Sequence, residues 1–174
     1  MAALSHAAVW LPVAALVAVA MDFWAAFLHG RVWHTWLYPV HRSHHVPRQG
    51  TFERNDALSC LHAPLAIALI VYGCQSDAGV TREVAFGVGI GMTAFGLSYL
   101  VVHDGLVHGR LPVGFLLRSR YLRGVVRAHR VHHAGTARGT PYGLFFGRWE
   151  LARAARVRPS QPSSGPRPAP SARP

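Results

Sequence analysis

The sequence predicts an all-α integral membrane protein with about three to four transmembrane helices and a histidine-rich metal site on its cytoplasmic face. Three observations carry this prediction. First, three stretches (about Ala8–Leu28, Ala57–Cys74 and Val84–Val102) are apolar over the roughly 20 residues that a helix needs to cross a bilayer. Second, ten of the 12 histidines fall into two matched sets, each an H-x4-H pair followed by an H-x2-H-H triplet. One set is His29, His34, His41, His44 and His45; the other is His103, His108, His129, His132 and His133. Third, arginine is concentrated in the same two regions as these histidines.

Composition narrows the partners. The chain has 174 residues, the size of one domain, and is 51% hydrophobic and 14% charged, yet its net charge is +11. All 18 basic residues are Arg, which reads as a coding bias. The arginines flank apolar spans and no nucleic-acid-binding motif accompanies them, so anionic headgroups, not nucleic acid, are the expected contact.

The first span is not expected to be a cleaved signal, because no charged side chain precedes it and Trp24, Ala25 and Ala26 run straight into His29. It carries Asp22, seven residues before His29 and close to the same helical face. A carboxylate inside an apolar span is costly and usually functional. Asp22 is expected to accept a hydrogen bond from a ligand imidazole and so fix its tautomer, and Asp104 to do the same for the second set.

The second span is short, and Pro64 is expected to kink it. Cys60 and Cys74 at its ends would stand about 21 Å apart along a helix, too far for a disulfide; both are expected to be buried thiols. His62, in neither set, is expected to hydrogen-bond within the bundle. In the third span Gly87 and Gly91 have the G-x3-G spacing that lets helices approach closely. The Pro/Ser/Arg-rich stretch 158–174 reads as a disordered tail behind a membrane domain of residues 1–157.

Residues 29–56 carry four arginines and 103–174 carry thirteen, whereas 75–83 carry only Arg82 against Asp77 and Glu83. The positive-inside rule then places both histidine sets and the C-terminus in the cytoplasm, in a multi-pass protein of the inner (plasma) membrane.

Spacing constrains the site. On an α-helix, positions i, i+3 and i+4 share a face, so His41, His44 and His45 can converge, as can His129, His132 and His133. Positions five apart are about 140° apart around the helix. His29 and His34 can therefore meet only if the helix ends or loosens between them, which Gly30 permits, and Gly105 and Gly109 permit the same for His103 and His108.

Ten imidazoles imply a polynuclear centre. A zinc hydrolase would need H-E-x2-H, which is absent. Soluble di-iron enzymes rely on glutamates, and this chain has too few acids. A di-iron site bound mostly by imidazole, open to O2 and poised at a membrane, suits oxidation of a C–H bond in a lipid-dissolved substrate. A membrane divalent-metal binder or transporter is the non-enzyme alternative.

Three stretches then carry a resemblance: HRSHHVPRQGTFERND (His41–Asp56), VVHDGLVHGRLP (Val101–Pro112) and YLRGVVRAHRVHHA (Tyr121–Ala134). Over roughly residues 8–150 the chain resembles the bacterial β-carotene 3-hydroxylases of the fatty acid hydroxylase/sterol desaturase superfamily. The histidine triplets indicate the superfamily, and HHxPRxGxFExND with VHDGLVHxRxP indicates the carotenoid branch. The resemblance implies two non-haem iron ions on the ten histidines, O2 as co-substrate and a ferredoxin-type electron donor. It also implies 3-hydroxylation of β-ionone rings, taking β-carotene through β-cryptoxanthin to zeaxanthin, with 4-keto rings accepted by relatives. A ketolase, desaturase or sterol/fatty-acid hydroxylase of the same superfamily is the nearest alternative. The chain departs from the family after His133, in GTARGTPYGLFFG.

Overall fold

The computed structural model describes residues 2–48, 50–75, 79–135 and 140–157, with the backbone alone for residues 2–6. The 158–174 stretch, expected to be a tail, lies outside the described residues. No strand occurs among the described residues; the elements are helices α1 (Ala2–Leu28), α2 (Tyr38–His41), α3 (Asp56–Ser59), α4 (Ala63–Gly73), α5 (Val80–Tyr99), α6 (Arg120–His133) and α7 (Gly147–Val157).

Three helical segments are long and apolar enough to cross a membrane: Ala7–Trp33, Asp56–Gly73 and Val80–Val107. Many of their large side chains, including Leu16, Phe23, Leu65, Ile67 and Leu97, point away from the protein. Exposed apolar surface on this scale is tolerable only against lipid, so the protein is read as membrane-embedded. α5 is the central helix, packing on α1 along one side and α4 along the other.

Glycine makes that double contact possible. A Cβ on Gly87 would stand 2.7 Å from the Trp10 carbonyl oxygen, and one on Gly91 2.6 Å from that of Ala14, so this pair seats α1. Gly89 faces the other way, where a Cβ would meet the Ala66 carbonyl oxygen at 2.8 Å. Without a hydrophobic drive inside lipid, such close backbone approach is what holds helices together.

The second span differs from expectation. Pro64 lies in the first turn of α4 instead of kinking a continuous helix. Proline is favoured there because its missing N–H needs no partner. The span is broken at Cys60–His62, between α3 and α4. Cys60 and Cys74 are free thiols as expected, but both are exposed, not buried, because only α5 packs extensively on this span. His62 accepts a hydrogen bond from Trp24 Nε1 at 2.9 Å, tying the break to α1.

Beyond the spans, α6 is amphipathic. It buries Val125, Val126, Ala128, His129 and His132 and turns its arginines outward. Ser119 caps its first turn, accepting from Leu122 N–H at 3.4 Å. Val125 joins Val102 and Leu144 in a small core, with Tyr99, Tyr121, Leu122 and Phe145 packed against it. This core holds α6 and the 142–146 segment across the histidine-bearing ends of the first and third spans.

A candidate metal centre of ten histidines

The two H-x4-H pairs are brought together by the same local device. Both α1 and α5 end in π-helical turns, His29–Trp33 and Leu100–Val107. A π turn bonds the N–H of residue i+5 to the carbonyl of residue i. The bonds from His34 N–H to His29 O and from His108 N–H to His103 O, each 3.0 Å, have this register. Ring centroids consequently lie 5.0 Å apart for His29 and His34, and 4.7 Å apart for His103 and His108. The loosening expected at Gly30 and Gly105 takes this specific form.

The triplets do not converge as a helical face would suggest. Each is divided between two clusters. In the first, ring nitrogens of His29, His34, His41, His45 and His132 lie within 4.8 Å of one another; in the second, those of His44, His103, His108 and His129 do. His133 adjoins the second cluster, its Nε2 being 2.9 Å from that of His129. Each cluster therefore combines one H-x4-H pair with the i and i+4 members of the following triplet, and takes the i+3 imidazole from the other triplet. His44 and His132 are exchanged. The clusters abut, with the His45 and His133 rings stacked at 4.5 Å.

The exchange does not depend on the local helix type: the second triplet lies on regular α6, whereas the first passes from α2 into a 3-10 turn, Arg42–His44, and both divide in the same way. The His44 ring lies 4.7 and 4.3 Å from those of His103 and His108.

Hydrogen bonds fix which nitrogens carry protons. His29 Nδ1 donates to the Tyr142 carbonyl at 2.9 Å, and His41 Nδ1 donates to Asn55 Oδ1 at 2.7 Å. His103 Nδ1 donates to Asp104 at 2.7 Å, and His44 Nδ1 faces Glu53 at 3.4 Å. A neutral imidazole has one N–H, so its Nε2 is then a bare lone pair. Yet His29 Nε2 and His41 Nε2 face each other at 3.1 Å. As neutral rings neither can donate to the other, and a shared cation would satisfy both. Two nitrogens each about 2.1 Å from one ion, at right angles, would stand about 3.0 Å apart. In the second cluster the Nε2 atoms of His44, His103 and His108 are buried with no hydrogen-bond partner. The residues fit a metal.

Burial, and secondarily the neighbouring imidazoles, lower the proton affinity of the ring nitrogens outside the spans. His45 is held down to about 3, and His133 to about 2. His108 is lowered to about 3, by burial first and then by His103. His41 is lowered to about 4, chiefly by burial. Imidazoles that stay neutral are the form that binds metal.

Asp104 sits where the sequence suggested, on a ligand-set imidazole. Asp22 does not. It is buried, but its carboxylate accepts the backbone N–H groups of Leu144 and Phe145 (3.1 Å each) and Phe146 (2.9 Å). Glu150 accepts those of Tyr142 (2.8 Å) and Gly143 (3.0 Å). Two carboxylates thus hold five consecutive amides, and the carbonyl of Tyr142 at the start of that run orients His29. Asp22 acts on the cluster through a backbone segment because the amides of 144–146, not a ring, reach its side chain. A Cβ on Gly143 would lie 2.6 Å from Glu150 Oε1, so a larger residue there would push this carboxylate from its place.

The residues missed from sequence are Glu53, Asn55, Tyr142, Glu150 and Arg110. Arg110 bridges Glu53 (3.1 Å) and Asp56 (2.8 Å), with Asp104 at 4.0 Å. Scarcity was the available signal. The chain has seven acidic residues and one asparagine, and Asp22, Glu53, Asp56, Asp104, Glu150 and Asn55 all serve this region.

Two hollows flank the centre. An apolar cavity of about 380 Å³ lies between the spans, lined by residues including Met21, Trp24, Leu28, Ile67, Met92 and Leu97, and reaching Trp33 and Asp104. On the other side a polar mouth of about 510 Å³ is lined by His44, His45, Arg48, Glu53, Arg110 and His133, among others.

Residues 14–152 match the family described as Fatty acid hydroxylase. The chain is 47% identical over 134 residues to β-carotene 3-hydroxylase 2, chloroplastic, of Arabidopsis thaliana, covering 77% of this chain and 44% of that protein. It is 45% identical over 132 residues to a β-carotene hydroxylase of Pseudescherichia vulneris, covering 76% of this chain and 71% of that protein. The match thus spans less than half the length of the Arabidopsis relative. No solved structure matches the chain. With ten clustered histidines on this scaffold, the chain belongs to the fatty acid hydroxylase family and groups there with the β-carotene hydroxylases.

Proposed function

We propose that the protein is a carotenoid 3-hydroxylase, acting on β-ionone rings of β-carotene through β-cryptoxanthin to zeaxanthin. The observation that carries the reading is the juxtaposition of facing Nε2 lone pairs with an apolar cavity open between membrane helices. The relatives' names supply the substrate class.

Each part of the chain then has a task. The cavity between α1, α4 and α5 accepts one apolar ring with part of its polyene and keeps bulk water out, while the rest of the substrate stays in lipid. Trp33 and Asp104 at its inner end lie beside the clusters, so a seated ring presents its edge to them. The five imidazoles of each cluster would hold one of two iron ions, and Tyr142, Asn55, Glu53 and Asp104 hold rings at fixed angles. Bound there, the iron ions would supply O2 activation, one oxygen atom ending in the new C–O–H group and the other in water, with two electrons from a ferredoxin-type donor and two protons from solvent. The polar mouth, with Arg48 and Arg110, is the face for O2, water and that donor. The arginine distribution orients this mouth towards the cytoplasm at the plasma membrane.

The transporter alternative needs a polar path along the spans. The cavity found there is predominantly apolar, which favours an organic ligand. Expression in a host that makes β-carotene, followed by pigment analysis, tests the proposal. Zeaxanthin is the expected product, keto-carotenoids would indicate a ketolase, and unchanged β-carotene in well-expressed, iron-replete protein would overturn the proposal.

A further inference from the structure

The two histidine clusters differ in what stands behind them. In the first, the imidazoles with defined Nδ1 acceptors lean on neutral oxygens: His29 on the Tyr142 carbonyl and His41 on the Asn55 amide. In the second they lean on carboxylates: His103 on Asp104 and His44 on Glu53. These carboxylates are largely enclosed, and the Arg110 guanidinium links both, together with Asp56, into one network. Three carboxylates against one guanidinium leave a net negative charge in direct hydrogen-bond contact with the second cluster.

Other charges do not cancel the difference. Asp22 and Glu150 hold the segment whose Tyr142 carbonyl orients His29, but their oxygens are engaged by five backbone amides, and no imidazole touches them among the described contacts. Arg48 stands at the mouth of the second cluster but is exposed, where solvent and salt screen it. The first cluster gathers five ring nitrogens within 4.8 Å and the second gathers four, with His133 adjoining. Ligand number therefore does not favour the second cluster.

We propose that the two ion sites are electrostatically inequivalent, the carboxylate-backed cluster (His44, His103, His108, His129) binding a divalent cation more tightly and filling first. Glu53 and Asp104 act as positioning residues that raise the basicity of the imidazoles they hold. Asn55 is their neutral counterpart. This rests on the metal-centre reading above and adds an order of filling to it.

The test is an anaerobic titration of the metal-free, full-length protein in detergent with cobalt(II), followed by its visible absorption and by isothermal calorimetry. Two resolved steps are expected. Glu53→Gln and Asp104→Asn should each weaken the tight step by about 10–100-fold and leave the weak step nearly unchanged. Asn55→Asp should tighten the weak step, a gain that misfolding cannot imitate. Two ions bound with equal affinity, weakening of both steps together by Asp104→Asn, or no tightening by Asn55→Asp would overturn the inequivalence while leaving the metal centre intact. Failure to bind cobalt at all would overturn both.

Discussion

Asp22→Ala removes one buried carboxylate and leaves the amides of Leu144, Phe145 and Phe146 without their acceptor. Each buried donor left unpaired costs about 1–3 kcal/mol, which sums to about 3–9 kcal/mol before relaxation. The loss of a costly buried carboxylate and some repacking of 142–146 offset part of this. The net expectation is about 3–5 kcal/mol, the range for breaking a buried polar pairing. For a chain of this size about 2–4 °C is lost per kcal/mol, so the melting temperature should fall by roughly 6–20 °C. A second consequence follows from connectivity: the released segment carries the Tyr142 carbonyl that orients His29, so iron per protein should fall in the variant even at temperatures where it stays folded. Asp22→Asn keeps one acceptor oxygen but turns an NH2 group towards an amide donor, and should fall between wild type and Asp22→Ala. Thermal unfolding in detergent, with iron quantified on the same samples, measures both effects. If Asp22→Ala melts within about 2 °C of wild type and retains full iron, the clamp does not hold the segment as argued.

Replacing any of the ten clustered histidines with Ala should bring hydroxylation in a β-carotene-producing host close to background and lower bound iron, whereas His6→Ala should be nearly silent and His62→Ala should cost only modest stability. Retention of iron and activity in several of the ten would refute the ligand set. Acid should destabilise the metal-free protein. His41 takes up its proton near 6.5 when unfolded but only near about 4 when folded. Its contribution is therefore complete above pH 6.5 and is lost at about 1.4 kcal/mol per pH unit as pH falls towards 4. Chemical denaturation at pH 7, 6 and 5 would show no such slope if burial did not hold this imidazole neutral. Reporters fused after Arg48 and after Val157 should both score cytoplasmic, and one inserted between 75 and 79 should score on the opposite side; disagreement between the first two would rule out a cytoplasmic shared centre.

Much of the fold was legible because a membrane imposes simple rules. A span must be about 20 apolar residues long, and three runs met that condition. Their inner ends fell where the histidines began, so the elements and the site were located together. Gly87 and Gly91 were also readable, since small residues at that spacing have few other uses within lipid. The break at Cys60–His62 was not, because Pro64 can either kink a helix or start one, and local sequence does not choose between them. The exposed faces of Cys60 and Cys74 depended on which neighbour packs on the second span.

The sequence by itself determined which side chains are available as ligands and the membrane setting, since residue type decides which side chains can bind a metal and hydropathy decides what can lie in lipid. The partition of those ligands was decided only in three dimensions. Two π turns and the crossing of α6 over the histidine-bearing ends of the spans set the clusters in which His44 and His132 are found. A one-residue change of helical register rotates a side chain by about 100°, and no spacing rule for a regular helix anticipates it. The supporting residues were hidden for a related reason. Asn55, Glu53 and the Tyr142 carbonyl lie 9 to 113 residues from the imidazoles they hold. Asp22 lies 122 to 124 residues from the amides it binds. Contacts over such separations exist only once the chain has folded.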